Sequence, residues 1–234
     1  MQNLNPTRVI ARRGRDTMII GALLLMGGLV IAGLGVLLAL LFSSGLLGII
    51  FVGGGLLVLL VGFGFLIRGL TYRMENDLAR TVAETLGREL DARYAFIRNV
   101  SRRGIGYIDA VLIGPPGALV FRILDNAGIF QNEGADWLER RGGQNFQLSR
   151  LNPTRECVTD VYALRNYFAK NGLSKVPVYG IVVFINPEAQ ISARQPVVPI
   201  AELRTMTAVM RHDYLAQDRI DEATIHAAID VLYN

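Results

Sequence analysis

The sequence predicts an α/β domain with a mixed sheet, preceded by an N-terminal transmembrane hairpin of two helices. Residues 17–67 contain no Asp, Glu, Lys or Arg. Residues 68–234 carry 20 Lys or Arg and 19 Asp or Glu, which suits a domain in water. Short apolar runs between turn signals alternate there with segments of helical periodicity. This segregation of charge excludes a wholly soluble single domain.

The chain divides into three predicted parts: a basic cytoplasmic N-terminus at 1–17, a hairpin at 18–67 and a domain at 68–234. Two apolar runs, 18–42 and 46–67, are each long enough to cross a bilayer core of about 30 Å, which needs about 20 helical residues. Only Ser43, Ser44 and Gly45 separate them, so a tight helical hairpin is expected. We therefore expect an integral protein of the cytoplasmic membrane with two spans.

Basic residues flank the outer ends of the hairpin, at Arg8, Arg12, Arg13, Arg15, Arg68 and Arg73. The connecting segment has none, so the positive-inside rule predicts that both termini are cytoplasmic. The same arginines also suit anionic lipid headgroups. The sequence leaves a topology signal and lipid binding both open.

Glycines recur every seven residues in both spans, which places them in one stripe on each helix. They are Gly21, Gly28, Gly35, Gly48, Gly55 and Gly62. We expect the two stripes to pack against each other within the hairpin, and homo-oligomerisation through them is the other possibility. Neither span holds an ionisable residue, which favours an anchor over a transporter.

The domain at 68–234 begins with helical spacing over 74–91 and continues with strands and turns. Strands are predicted at 94–100, 107–113 and 118–124, with a shorter one in 128–137. Pro115-Pro116-Gly117 is a turn signal between two of them. These short connections predict an antiparallel start to the sheet.

Helix and strand signals alternate after this antiparallel start. Asn152 and Pro153 open a helix that continues to Lys170. A β-branched run at 176–185 is typical of a buried central strand. One more strand at 197–200 and closing helices at 200–211 and 218–233 complete the predicted mixed sheet.

One segment of the predicted sheet resembles a known family. The run Tyr107-Ile108-Asp109-Ala110-Val111-Leu112-Ile113-Gly114-Pro115-Pro116-Gly117-Ala118-Leu119-Val120-Phe121 is similar to the opening of the nuclease-related domain (NERD). Gly128, Trp137, Asn152-Pro153, Ala163-Leu164-Arg165 and Val178–Phe184 follow in the order of that family. The resemblance covers about residues 80–230. It implies a restriction-endonuclease-like fold. We also expect a prokaryotic protein.

The resemblance also implies where a nuclease site would lie. Active relatives place a metal-binding Asp, a Glu and a Lys at positions that correspond to Asp109, Arg122 and Leu124. A guanidinium cannot ligate a cation, and Leu124 cannot orient a water. We therefore expect a catalytically inactive pseudonuclease without metal, in which Arg122 pairs with Asp109. Where the family has Gln near the start of the later helix, this chain has Glu156.

Two other functions remain open. One is a working nuclease that uses Mg²⁺ or Mn²⁺ and displaced carboxylates such as Glu84, Glu89 or Asp125. The other is a purely structural subunit of a membrane complex.

Whether the domain acts by binding or by scaffolding, we expect it to have a partner, which is a protein or a nucleic acid. Candidate nucleic-acid contacts are Arg98, Arg102, Arg103, Arg140 and Arg141. The nearly balanced charge of 68–234 favours solvated surface at these positions. The single Cys157 excludes an intramolecular disulfide.

Overall fold

The computed structural model describes residues 1–5, 7–41, 45–71, 77–140 and 145–233. The chain forms two compact units, one of residues 7–75 and one that joins residues 1–6 to residues 76–234. The first six residues therefore belong with the large α/β unit, whereas the sequence analysis counted them in a separate N-terminal segment.

Ten strands and six helices lie in the described residues. In chain order the first are β1 (Gln2–Leu4), α1 (Thr7–Leu41), α2 (Gly45–Thr71), α3 (Asp77–Gly87), β2 (Ala95–Arg102), β3 (Gly106–Gly114) and β4 (Gly117–Leu124). Then follow β5 (Gly128–Glu133), β6 (Asp136–Arg140), β7 (Phe146–Leu148), α4 (Pro153–Lys170), β8 (Val178–Phe184), β9 (Ala189–Arg194), β10 (Ile200–Glu202), α5 (Met206–Asp213) and α6 (Glu222–Tyr233).

Helices α1 and α2 form an antiparallel hairpin that packs through its glycines. A Cβ added to Gly55 would lie 2.6 Å from the backbone nitrogen of Ala32, and one added to Gly28 would lie 2.9 Å from the carbonyl oxygen of Gly55. The two glycine stripes therefore face each other, and only a hydrogen side chain permits this approach. By contrast, a Cβ on Gly54 would meet nothing within 4 Å.

The hairpin contains two segments that are long and apolar enough to cross a membrane, Met18–Leu41 and Gly45–Ile67. Their mean hydropathies are 2.6 and 2.7. The described helices end close to the predicted spans, and Phe42, Ser43 and Ser44 lie outside the described residues. In α1 the helix starts at Thr7, before the apolar segment.

The α/β unit is built on a six-stranded mixed sheet in the order β1-β2-β3-β4-β8-β10. Strands β2, β3 and β4 are antiparallel neighbours, as the short turns predict. Strand β8 pairs parallel with β4 and with β10, and β1 pairs parallel with β2. Each parallel pairing follows a long connection: the one from β4 to β8 contains α4, the one from β1 to β2 contains the hairpin, and the one from β8 to β10 contains β9.

Helices cover both faces of this sheet. On one face α3 and α5 pack against residues such as Phe96, Leu112 and Phe121. On the other face α4 and α6 pack against residues such as Val111 and Val120. The result is an α/β sandwich with a mixed sheet in the middle.

A second sheet has the order β7-β6-β5-β9. Its strand β5 pairs parallel with β9, and Phe130 and Trp137 of this sheet pack with Phe184 of the large sheet. The sequence analysis expected only one short strand in 128–137 and none at β7 or β9. The closing helices are shorter than predicted, since Ile200 begins a strand and α5 starts at Met206.

Gly117 closes the tight turn between β3 and β4. Its φ of 125° lies in a region that favours glycine, and a Cβ would meet the carbonyl oxygen of Pro177 at 2.5 Å. The turn fixes the register of β3 against β4, with Gly114 opposite Gly117. That register positions the residues of the candidate site at the far end of the two strands.

Candidate functional site

Asp109 and Arg122 are brought together by the pairing of β3 with β4. Ala110 pairs with Phe121, so Asp109 and Arg122 are the next residues along the two antiparallel strands. Side chains alternate between the faces of a sheet. Arg122 therefore shares a face with Val120, which packs against α4.

The Arg122 guanidinium lies between two carboxylates. Its Nη1 is 3.7 Å from Oδ2 of Asp109, and its Nη2 forms an ion pair with Glu156 of α4. Oδ2 of Asp109 also accepts a hydrogen bond of 2.9 Å from the backbone N–H of Ile123. The expected pairing of Arg122 with Asp109 is present as a long contact, and the closer partner is Glu156.

Exposure differs among these three side chains. Asp109 is 7% exposed, Arg122 is 27% exposed and Glu156 is 47% exposed. A buried carboxylate without a cation would be unfavourable, so Arg122 compensates Asp109 from the solvent side.

Leu124 lies in an apolar cluster at the end of β4. It is 8% exposed and packs with Phe130, Trp137 and Phe184. The Trp137 indole donates a hydrogen bond of 2.8 Å to the Thr154 hydroxyl in the first turn of α4. This contact fixes the start of α4 beside the strands, and with it the position of Glu156.

Asp160 is a fourth charged member of the site, which the sequence analysis missed. It follows Glu156 by four residues on α4, so both lie on one helix face. Burial raises the pKa of Asp160 to about 6, while Arg122 lowers it and Asp109 and Glu156 raise it. The signal in the sequence was this four-residue spacing on the predicted helix that Asn152 and Pro153 open.

Two buried atoms of the cluster have no hydrogen-bond partner in the described part of the chain. They are Nε of Arg122 and Oδ2 of Asp160. One is a donor and the other an acceptor, and each unsatisfied group of this kind disfavours the folded state. The network is therefore only partly satisfied.

Asn99 adds a polar residue beside Asp109. It lies between the β2–β3 pairs Arg98–Ala110 and Val100–Ile108, which places it opposite Asp109. Its φ is 54°, which is uncommon for a residue other than glycine, and it is 4% exposed. Its Oδ1 accepts a hydrogen bond of 2.9 Å from the Tyr107 hydroxyl.

The residues of this site do not fit a divalent cation. Asp109 and Glu156 both face the guanidinium of Arg122, which repels a cation and offers no ligand. Within the described ranges, no group of three or more His, Cys, Asp or Glu is positioned to hold a metal ion. Leu124, which stands where the family resemblance implies a lysine, has only apolar side-chain atoms.

Glu84 and Glu89 do not reach this site, which corrects the expectation that they could complete it. Helix α3, which carries Glu84, packs on the opposite face of the sheet from α4. Glu84 pairs with Arg80 at 2.9 Å, and Glu89 pairs with Arg211 at 3.0 Å. Asp125 is exposed and lies one residue beyond Leu124.

The candidate nucleic-acid contacts have differing surroundings. Nε of Arg98 donates to the Asn3 side chain at 3.0 Å. The Arg102 guanidinium donates two hydrogen bonds, of 3.1 and 2.9 Å, to the carbonyl oxygen of Leu232 in α6. Arg103 and Arg140 are exposed, and Arg141 lies outside the described residues.

Cys157 does not supply a nucleophile. It is fully buried between α4 and β8, and a Cβ on Gly180 would meet its Sγ at 2.6 Å. Burial raises the pKa of the Cys157 thiol to about 12, which disfavours the reactive thiolate.

The α/β unit contains a nuclease-like module, and a match to a protein-family model shows this. Residues 74–185 match the model of the Nuclease-related domain family, NERD, which supports the resemblance drawn from the strand motif. The matched segment contains Asp109, Arg122, Glu156 and Asp160 and ends after β8. The comparison with curated proteins gave no match, and neither did the comparison with solved structures.

Proposed function

We propose that the protein is a membrane-anchored, nuclease-like domain that binds a partner without cleaving phosphodiester bonds. The observation that carries this proposal is the position of the Arg122 guanidinium between Asp109 and Glu156. The match to the nuclease-related domain supports the class of module.

Loss of catalysis follows from the chemistry of phosphodiester hydrolysis. A metal-dependent nuclease needs a cation to activate water and to stabilise charge on the phosphate. Arg122 brings a fixed positive charge to that position but has no acceptor atom for a water or a metal. Leu124 supplies no proton donor, so the cluster lacks both parts of the machinery.

A protein is the partner that the surface favours. Arg98 and Arg102, two of the candidate phosphate contacts, are engaged in hydrogen bonds within the domain. Nucleic-acid binding typically requires a strongly basic surface, and residues 68–234 have nearly equal numbers of basic and acidic side chains.

The topology of the hairpin in this proposal is supported by the pairing of β1. Strand β1 precedes the hairpin and pairs with β2, which follows it. If α1 and α2 span a bilayer, a shared sheet requires both ends of the hairpin to lie in the same aqueous compartment. The basic flanks then assign that compartment to the cytoplasm.

Membrane-impermeant maleimide labelling tests this topology. Gln2→Cys and Arg103→Cys are placed at exposed positions on either side of the hairpin, and the native Cys157 is buried. Both introduced cysteines should react in inside-out vesicles and neither in right-side-out vesicles. Labelling of the two from opposite sides would contradict the proposed topology.

Calorimetric titration of Mn²⁺ into the full chain in zwitterionic nanodiscs tests the loss of metal binding. The unmodified protein should give no binding heat, whereas Arg122→Glu should gain a site because it adds a carboxylate and removes the cation. Arg155→Glu is the matched control, since it makes the same charge change at an exposed position of α4.

Mn²⁺ binding by the unmodified protein would contradict the proposal if Asp109→Asn abolished it. Asn keeps an oxygen that can accept from the Ile123 N–H, so this variant retains the backbone contact. Nuclease assays on single- and double-stranded substrates would then follow. Strongly salt-dependent DNA binding without cleavage would instead identify nucleic acid as the partner.

A further inference from the structure

Strand β7 forms one edge of the small sheet, and no strand lies beyond it in the described part of the chain. Its residues are Phe146, Gln147 and Leu148, and none of them is charged. Edge strands are commonly protected by charged residues, by proline or by a covering segment. Leu148 is 73% exposed and Phe146 is 39% exposed, so this edge presents apolar surface to water.

The backbone of β7 directs hydrogen-bonding groups away from the small sheet at two residues. The Ser149 N–H donates to the Trp137 carbonyl oxygen at 2.8 Å, which makes these residues a hydrogen-bonded pair of the antiparallel ladder. Such pairs alternate with non-hydrogen-bonded pairs, so the pair of Leu148 with Leu138 is of the second kind, and so is that of Phe146. The N–H and C=O groups of Phe146 and Leu148 therefore point away from β6.

Apolar side chains continue from this edge across the outer face of the small sheet. Trp137 faces the large sheet and is buried, so its neighbour Leu138 lies on the outer face. Leu148 is directly opposite Leu138, and Phe146 is two residues from Leu148 along β7, so all three share that face. The edge therefore combines backbone groups that can pair with a further strand and an apolar strip beside them.

We propose that the outer edge of β7 pairs antiparallel with the same edge of a second copy of the chain, about a two-fold axis at Gln147. In this register Phe146 of each copy is opposite Leu148 of the other, and each such pair exchanges both of its backbone hydrogen bonds. The two small sheets then form one continuous sheet. The inference goes beyond the proposed function and depends neither on the Arg122 site nor on the membrane anchor.

A second copy is the occupant because this edge is its own complement. Pairing about Gln147 sets Phe146 against Leu148 on the outer face, and aromatic and aliphatic side chains directly opposite each other stabilise a sheet. On the other face Gln147 meets its own counterpart, and Asn145 continues the register toward Ser149. Residues 145–149 contain no charged side chain, so the two-fold axis brings no like charges together.

Oxidative cross-linking of the full chain in mild detergent tests the register. Gln147 and its counterpart form a non-hydrogen-bonded pair, whose Cα atoms lie about 4.5 Å apart, within the range for a disulfide. Gln147→Cys should therefore give mainly disulfide-linked dimer. Leu148→Cys should give little, because the offset along the strands separates the two Cα atoms by about 8 Å. Ser192→Cys, at the opposite edge of the sheet, controls for random collision, and the native Cys157 is buried.

Sedimentation equilibrium of the full chain in the same detergent measures the strength of association. Leu148→Lys puts a charge beside Phe146 of the second copy and should weaken dimerisation about tenfold, because both symmetry-related cross-strand pairs are lost. Leu148 is mostly exposed, so this variant should fold as the unmodified protein does. Val197→Lys is the matched control, since it makes the same kind of change at a side chain that is 58% exposed and lies outside β7. It should leave dimerisation unchanged.

Three results would overturn the inference. The first is a monomeric unmodified protein, which would leave the edge of β7 to a different partner or to none. The second is equal cross-linking of Gln147→Cys and Ser192→Cys, which would mean that the copies meet at random. The third is a dimer that Leu148→Lys leaves intact or that Val197→Lys weakens equally, which would place the interface elsewhere, such as at the glycine stripes. Mn²⁺ binding at the Arg122 site would contradict the proposed function and leave this inference unaffected.

Discussion

Replacement of Arg122 by Met removes the cation from the candidate site and keeps most of the apolar stem of the side chain. Asp109, Glu156 and Asp160 would then lose the positive charge of this guanidinium. We expect the α/β unit to lose stability, because the buried Asp109 loses the charge of Arg122.

The magnitude follows from the exposure of the pair. Removing one partner of a fully buried ion pair costs about 3–5 kcal/mol, whereas exposed pairs contribute about 0–1 kcal/mol. Asp109 is 7% exposed, but Arg122 is 27% and Glu156 is 47% exposed, so water screens part of the interaction. We therefore expect a loss of about 2 kcal/mol in the free energy of unfolding at neutral pH.

Urea unfolding of the full chain in nanodiscs, followed by tryptophan fluorescence, measures this loss. Trp137 is the single tryptophan, and its indole is hydrogen-bonded to Thr154 at the start of α4. Its fluorescence therefore reports on the elements around the site. Arg155→Met is the matched control on the exposed side of α4 and should stay within about 0.5 kcal/mol of the unmodified protein.

The same experiment at lower pH sharpens the test. Burial raises the pKa of Asp160 to about 6, so protonation of this carboxyl relieves part of the repulsion and the loss caused by Arg122→Met should shrink as pH falls below about 6. Equal unfolding free energies for Arg122→Met and Arg155→Met at neutral pH would refute the reasoning. Arg122 would then be an ordinary surface residue of β4.

Three further predictions concern other parts of the molecule. Asp160→Asn should be more stable than the unmodified protein at pH 7 and equal to it near pH 3. The reason is that the pKa of Asp160 is raised to about 6 in the folded state, so ionisation of this carboxyl destabilises the folded protein as pH rises toward that value. A parallel pH profile for both proteins would contradict this. Gly55→Leu should lower the melting temperature of the hairpin in detergent, since its Cβ would meet Ala32 at 2.6 Å, whereas Gly54→Leu should not; equal shifts would exclude the glycine interface. Leu4→Ala should destabilise the α/β unit by about 1 kcal/mol in urea unfolding, since Leu4 packs against the core and is half-buried. An unchanged unfolding free energy would mean that β1 contributes only backbone pairing.

The sequence was sufficient for elements whose signals are local. Strands β2, β3 and β4 have long apolar runs and a Pro-Pro-Gly turn, and α4 has a side-chain cap at Asn152 and a regular inner face. Three of the strands that were missed, β1, β7 and β9, are short or polar and lie at sheet edges. Their strand conformation depends on a neighbouring strand, which no local pattern records.

Prediction of the site was likewise limited to residues that are related by local sequence order. Asp109, Arg122 and Leu124 lie on two strands joined by a tight turn, so sequence order already fixes their neighbourhood. Glu156 and Asp160 join them only because α4 packs on that face of the sheet, which is a tertiary fact. For the converse reason Glu84 lies away from the site, since α3 packs on the other face, and Glu89, just past α3, pairs with Arg211.

The cost of the charge cluster to folding stability is consistent with the binding function proposed above. Its Arg122 and Asp160 side chains each keep a buried polar atom without a partner in the described residues, and such atoms cost about 1–3 kcal/mol each. Well-packed apolar residues in place of a buried ion pair are often as stable or more stable. A domain selected only for stability would gain from that replacement, because Val120 and Leu124 on the same strand face already pack into apolar clusters. Arg122 and Glu156 are the members that solvent reaches, so a binding partner would meet the cluster at these two side chains.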